Sequence, residues 1–139
     1  MCRPLTPETG YFLAKARRLL DQADAMLEIK LYDAAGRAAY LAGFHATQGL
    51  ISEGTGRSVK THMGVRAQLH RFTKDDPRVD AELRAFLGRA YDLKTMADYE
   101  TGPGSEVSPE VAAAAIKASK RFVAKMTELI EGATGRGHC

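Results

Sequence analysis

Apolar residues recur every three or four positions along each long segment of this chain, and no segment alternates apolar and polar residues with period two. The segment around residue 40 shows this spacing clearly, in the series Ala35, Ala39, Ala42, Ala46 and Leu50. Such spacing places apolar side chains on one face of an α-helix. The sequence therefore predicts an all-α protein whose helices share one core.

Helix starts are marked by a capping residue followed by proline at Thr6-Pro7, Asp76-Pro77 and Ser108-Pro109. Proline suits the first helical position because its missing N–H would have no partner there. Asp33 and Thr61 are weaker starts, and glycines mark the ends. The predicted helices of this up-and-down, five-helix bundle span about 7–29, 33–53, 61–73, 77–99 and 109–131.

Length and composition indicate one globular domain, since the chain has 139 residues, of which 45% are hydrophobic and 27% charged. We expect a domain over residues 1–131 and a disordered tail over residues 132–139. No apolar run approaches the roughly 20 residues of a membrane span, and the N-terminus lacks a secretory leader pattern, so a cytoplasmic protein is expected. Cys2 and Cys139 lie at opposite ends, which predicts neither a disulfide framework nor a metal cluster.

The second predicted helix is rich in small residues, including Gly36 and Gly43. Such residues let neighbouring backbones approach closely, so this helix is expected to be central and the most buried. Arg37 lies one residue off its alanine face, and a partly buried Arg needs a carboxylate. We predict that Asp98 is this partner, inside the bundle, although Asp98 and Tyr99 also fit a simple helix end. Removal of Asp98 from a buried pair would cost about 3–5 kcal/mol.

The most basic stretch lies between Glu53 and Asp75, which contains no acidic residue. In a helix starting near Thr61, the residues His62, Arg66 and His70 follow one another at four-residue spacing and form a polar stripe. This stripe is either an ordinary solvated face or a phosphate-binding surface. The three residues, together with Arg37, are the candidate nucleotide- or RNA-binding residues.

Other site chemistries find little support in the residue patterns. His62 and His70 would lie about 12 Å apart along a helix, too far to share an ion, so no metal site is expected. The glycines at Gly54-Thr55-Gly56 lack the length and the Lys of a phosphate-binding loop. Neither cysteine nor any serine stands in a nucleophile motif, and no cofactor is expected.

Four segments together resemble the HEPN family: GRAAYLAGFHA at 36–46, THMG at 61–64, ADY at 97–99 and VSPE at 107–110. They occur in the family's order within residues 11–130. The resemblance implies a small helical bundle, usually dimeric, with a nucleotide-binding role. It also implies a partner, since such proteins are commonly encoded beside a minimal nucleotidyltransferase in toxin–antitoxin-like pairs. Active members are metal-independent endoribonucleases.

The family's nuclease motif pairs an Arg with a His somewhat more than one helical turn later, and this sequence departs from it. Lys94 stands at the position of the Arg that precedes Ala-Asp-Tyr, and no His occurs between Arg71 and Gly137. Arg57 and His62 have a permissible spacing but straddle a glycine-rich loop. Lys keeps the charge yet lacks the bidentate fork of a guanidinium.

Two functions therefore remain. The first is a binding subunit that contacts a nucleotidyltransferase and a nucleotide or RNA without cleaving it. The alternative is an endoribonuclease toxin that uses Lys94, Asp98 and Tyr99 as catalytic residues. The missing His favours the first, so little or no ribonuclease activity is expected. Tyr99 is the nearest match to a tyrosine that, in some relatives, the partner transferase modifies with AMP.

Overall fold

The computed structural model describes residues 5–133, in which five α-helices and no strands are found. The helices are α1 (Pro7–Glu28), α2 (Tyr32–Thr55), α3 (His62–Thr73), α4 (Ala81–Tyr99) and α5 (Pro109–Ala133). The predicted all-α, five-helix bundle is confirmed. No helix in this part of the chain has both the length and the apolarity needed to cross a membrane.

Helix α2 is the centre of the bundle, because each of the other four helices packs against it. Its residues are buried almost continuously from Ala35 to Glu53, as its small side chains predict. The core divides along α2 into two clusters. One joins α2 to all the other helices, and the second joins its N-terminal half to α1, α4 and α5.

Gly43 lies where side chains of α4 and α5 pack directly against α2. The rings of Phe86 and Phe122 stack beside it with centroids 4.7 Å apart. A Cβ at Gly43 would overlap the Phe86 ring and lie 3.3 Å from the Phe122 ring. The glycine therefore gives these two rings room to fill the centre of the core.

Three of the predicted helix starts are confirmed by capping hydrogen bonds. The Thr6 hydroxyl accepts from the Thr9 N–H at 3.3 Å, and the Thr61 hydroxyl accepts from the Gly64 N–H at 3.0 Å. The Ser108 hydroxyl accepts from the first turn of α5 at 3.1 Å. Each cap supplies an acceptor for an N–H that has no partner within its helix.

The predicted start at Asp76-Pro77 is wrong, because α4 begins at Ala81 and is capped by Asp80. The Asp76 carboxylate accepts from the backbone and guanidinium N–H groups of Arg78 instead, and closes a turn. Asp80 accepts from the Leu83 N–H at 2.9 Å. Two aspartates with equal capping ability lie four residues apart, and the turn that Arg78 stabilises selects the second.

Asp33 does not cap α2, which begins at Tyr32 without a side-chain cap. Its carboxylate accepts from the backbone N–H of Val107 at 2.9 Å and holds the segment that leads into α5. At the other end of the chain, Gly132 lies within α5, which continues to Ala133. Most of the expected tail lies outside the described residues, as do both cysteines, Cys2 and Cys139.

Replacement of Gly43 by alanine should destabilise the protein by about 1–3 kcal/mol, because the added methyl group has to displace the Phe86 ring. This net loss already includes the roughly 1 kcal/mol that alanine gains over glycine in a helix. Gly10→Ala in α1 is the matched control, since no atom lies within 4 Å of the added Cβ. Urea denaturation should show Gly10→Ala equal to or more stable than wild type, and equal stability of the two variants would contradict this account of the core.

Candidate functional site

Asp98 connects two cations from different helices near the C-terminal end of α4. Its Oδ1 atom accepts from Nε of Arg37 in α2 at 2.7 Å and also from Nη2 of that residue. Its Oδ2 atom lies 2.9 Å from Nζ of Lys94, one turn earlier in α4. The two cations and one carboxylate leave the group with a net charge of +1.

The predicted pairing of Arg37 with Asp98 is found, but its expected place inside the bundle is wrong. The Arg37 side chain is 49% exposed, whereas that of Asp98 is 14% exposed. Arg37 lies at the edge of the small-residue face of α2, so its long side chain reaches Asp98 along the surface. An exposed pair contributes much less to stability than a buried one.

The charge states of this group are fixed by its hydrogen bonds. The bond to Lys94, followed by that to Arg37, lowers the pKa of Asp98 below its usual range. The same bond from Lys94 to Asp98 raises the pKa of the Lys94 ammonium. Lys94 is therefore a permanent cation near pH 7 and does not act as a proton-transfer base.

Two tyrosine rings of α4 lie near the Lys94 ammonium. The Nζ atom is 5.9 Å from the centroid of Tyr91 and 5.8 Å from that of Tyr99. A cation over an aromatic face is attracted by the ring quadrupole. Tyr99 is the last residue of α4 and is 72% exposed, so its hydroxyl is accessible at the surface.

His62 lies at the face of α4 that carries Tyr91 and Lys94, a contact that the spacing of residues in the sequence does not predict. Its ring stacks on that of Tyr91, with centroids 3.8 Å apart and planes inclined by 15°. Its Nδ1 atom lies 2.8 Å from the hydroxyl of Tyr40 in α2. Tyr91 was not among the predicted site residues, yet its position one turn before Lys94 is the sequence signal that identifies it.

Burial controls the protonation of both members of the Tyr40–His62 pair. It raises the pKa of Tyr40 to about 12, with a further contribution from the nearby Tyr91. It also lowers the pKa of His62, as does the positive charge of Arg66, while Asp92 opposes them. At pH 7 the phenol is protonated and the imidazole neutral, and the two groups share one hydrogen bond. The Tyr40 hydroxyl donates to Nδ1 in the tautomer that carries its proton on Nε2, and it accepts from Nδ1 in the other tautomer.

The other members of the predicted basic stripe, Arg66 and His70 of α3, lie against the N-terminal half of α4. The Arg66 guanidinium lies against Gly88, where an added Cβ would be 3.3 Å from its Cζ atom. His70 lines a small cleft with Arg66 and with Arg84 of α4. His62 therefore joins the Lys94 group through Tyr91, whereas Arg66 and His70 form a separate group near the start of α4.

The two groups share one line along α4. Arg84, Gly88, Tyr91, Lys94 and Asp98 follow one another at three- and four-residue spacing and so lie along one side of the helix. Fourteen residues of helix separate the first from the last, a length of about 21 Å. Within residues 5–133, no three His, Cys, Asp or Glu side chains come together in a way that would hold a metal ion.

Replacement of Asp98 by asparagine should destabilise the protein at pH 7 by about 1 kcal/mol, because the Arg37 side chain of the pair is half-exposed and water screens the interaction. The folded pKa of Asp98 lies below its unfolded value near 3.9, so its stabilising effect is present above that pH and is lost as pH falls through the folded pKa. Asp24→Asn, which breaks the exposed Lys120–Asp24 pair, is the control and should change stability by less than about 0.5 kcal/mol. Thermal melts at neutral and acidic pH measure both effects, and a loss of 3 kcal/mol or more for Asp98→Asn would restore the buried-pair interpretation.

Comparison with known proteins agrees with the all-α fold and with the resemblance to the HEPN family. The HEPN domain family matches residues 9–129 of the chain. A UPF0332 protein of Archaeoglobus fulgidus is 33% identical over 113 residues, which cover 81% of this chain and 87% of that protein. The family match extends from the first turn of α1 nearly to the end of α5. The chain is therefore a member of the HEPN family.

Proposed function

We propose that this chain is a cytoplasmic HEPN subunit of a two-component, toxin–antitoxin-like system. It binds a nucleotide or RNA and a minimal nucleotidyltransferase encoded by a neighbouring gene, and it does not itself cleave RNA. The observation that carries this proposal is the binding of the Lys94 ammonium by Asp98, with the rings of Tyr91 and Tyr99 each within about 6 Å of the ammonium. This arrangement provides cations and ring faces without an evident base.

The exposed side of this group suits a single-stranded nucleic acid. Arg37 uses Nε and Nη2 for its bonds to Asp98, which leaves Nη1 to meet a phosphate oxygen. The Tyr99 ring is exposed beside the cations and offers a surface on which a base stacks. Proteins that bind unpaired RNA commonly combine cations for the backbone with aromatic rings for the bases.

Proton transfer is the step for which this site is poorly equipped. A general base near pH 7 needs a free nitrogen or oxygen with a pKa in that range. We assign His62 the tautomer in which Nδ1 accepts from the Tyr40 hydroxyl and Nε2 carries the proton, so that the ring offers a donor rather than a base. The raised pKa of Lys94 excludes its amine as well.

A second candidate function, an endoribonuclease toxin, is favoured by one observation. The His62 ring stacks on Tyr91, whose ring lies under the Lys94 ammonium, so the fold brings an imidazole near the cation that stands in the family's Arg position. A shift of the His62 proton from Nε2 to Nδ1 would free Nε2 as a base. The catalytic set would then be His62 and Lys94 with Asp98 and Tyr99.

Tyr99 is the proposed site of regulation. Its hydroxyl is exposed, and its ring lies 5.8 Å from the Lys94 ammonium. Transfer of AMP from ATP to this oxygen, with release of pyrophosphate, would add bulk and negative charge beside Lys94. Such a group would compete with any phosphate that approaches the cations.

Purified protein should bind a short single-stranded RNA without cleaving it. Lys94→Ala should weaken binding and reduce the slope of log K against log salt by about 0.7, because one phosphate contact is lost. Lys117→Ala, which removes an exposed lysine of α5, is the control and should leave the slope unchanged. Fluorescence anisotropy over a salt series measures the slopes, and gel analysis of mixed RNA measures cleavage.

The same assays decide between the two candidate functions. Cleavage by wild type that is lost in both Lys94→Ala and His62→Ala would establish the nuclease and overturn the binding-subunit proposal. Equal RNA affinity in wild type and Lys94→Ala would exclude this site from RNA binding.

Incubation with the neighbouring transferase and ATP should add AMP to wild type but not to Tyr99→Phe, as measured by mass spectrometry. A modified Tyr99→Phe protein would exclude Tyr99 as the acceptor.

We also propose a symmetric homodimer. An apolar groove of about 350 Å³ between α4 and α5 supports it, with a lining that includes Phe86, Ala90, Leu93 and Val111. Light scattering at micromolar concentration should give the mass of a dimer for wild type and of a monomer for Val111→Asp. Ala113→Asp, an exposed position of α5 outside the groove, is the control. A monomeric wild type would contradict the dimer, and a dimeric Val111→Asp would place the interface elsewhere.

A further inference from the structure

A small cleft between α3 and α4 collects cationic side chains and lies apart from the Lys94 group. It is lined by Arg66, Leu69, His70 and Thr73 of α3 and by Arg84 of α4, and its volume is about 120 Å³. No carboxylate belongs to this lining. The cleft thus presents two guanidinium groups and an imidazole without a counter-charge of its own.

Arg84 is held in place by the end of α3. Its Nη2 atom donates to the carbonyl oxygen of Thr73 at 2.6 Å and to that of Asp76 at 3.3 Å. These bonds hold the guanidinium against the turn that follows α3. They do not neutralise its charge, since no carboxylate among residues 5–132 forms an ion pair with Arg84.

Arg66 reaches the cleft because α4 has a glycine at the point of contact. A Cβ at Gly88 would lie 3.3 Å from both Cζ and Nη2 of Arg66, so the missing side chain lets the guanidinium approach the helix. In the described part of the chain, neither Arg66 nor His70 forms an ion pair with a carboxylate. Their hydrogen-bond donors are therefore available to an anion.

We propose that this cleft binds one phosphate group, held by Arg66 and Arg84 with His70 as a further donor. Guanidinium groups match the oxygens of phosphate with paired N–H donors. Pockets that enclose a whole small molecule have volumes of about 300 Å³ or more, so this smaller cleft takes a single group rather than a complete nucleotide. The proposal deepens the function proposed above, because it adds a second phosphate contact near the start of α4, apart from the Lys94 group.

The phosphate has two possible sources, which share this chemistry. One is the backbone of an RNA strand that also contacts Lys94. Ten residues of α4 separate Arg84 from Lys94, a distance of about 15 Å, which corresponds to about four nucleotides of a stacked strand. The other source is a free nucleotide or inorganic phosphate.

The test compares Arg66→Gln with Arg71→Gln in the full chain. Both variants remove one positive charge from α3, but Arg71 lies outside the cleft. Calorimetric titration with inorganic phosphate and with AMP at physiological salt should show about a tenfold loss of affinity for Arg66→Gln and less than about a twofold loss for Arg71→Gln. The NMR signal of the His70 ring should move on addition of phosphate to wild type and to Arg71→Gln, but not to Arg66→Gln.

Equal losses in the two variants would overturn the proposal, because they would reflect overall charge alone. An unmoved His70 signal at saturating phosphate would overturn it as well. Parallel loss of RNA and phosphate affinity in Arg66→Gln assigns the cleft to the RNA backbone, whereas loss of phosphate affinity alone assigns it to a free phosphate. A third outcome separates the two proposals. If RNA binding depends on Lys94 but not on Arg66, and the protein binds no free phosphate, the cleft is not a phosphate site and the proposed function stands. Thermal melts confirm the fold of each variant.

Discussion

The close packing of four helices around α2 is the constraint on which this structure depends. Alanine and glycine along α2 allow its neighbours to approach, and at Gly43 the Phe86 and Phe122 rings occupy the space that a side chain would need. Helix α4 is brought close to α2 by the same contacts. Because the Arg37–Asp98 pair joins these two helices, the geometry of the candidate site is a consequence of small residues that carry no chemistry themselves.

The sequence predicted most of the fold because its signals are local. Periodic apolar residues and the caps at Thr6, Thr61 and Ser108 act within one or two helical turns, and the helices that they predict are found. The error at Asp76 has a different origin. Two aspartates there have equal capping ability, and the choice of Asp80 depends on the Asp76–Arg78 turn, which capping preferences alone do not distinguish.

The site was only partly predictable for a related reason. The charges of Arg37 and Asp98 are enough to predict their pairing, because a charge beside an alanine face needs a partner of opposite sign. The degree of burial did not follow, since it depends on the path of a long side chain along the surface. The stack of His62 on Tyr91 joins residues of two different helices through ring geometry, and no spacing within either helix indicates it. An imidazole that is distant from Lys94 in sequence thus stacks on a ring that the Lys94 ammonium also contacts.

Some residues of the site depend on the docking of α3, whereas the others belong to α2 and α4 and do not. Among the helices, α3 packs only against α2 and α4. Its detachment would remove His62, Arg66 and His70 together while Arg37, Lys94 and Asp98 remained joined. A ligand that contacts both sets is thermodynamically linked to the docking of α3, because binding to the assembled state alone stabilises that state. Occupancy of the site would therefore appear as slower amide hydrogen exchange along α3, so this short helix would report on the bound state of the whole domain.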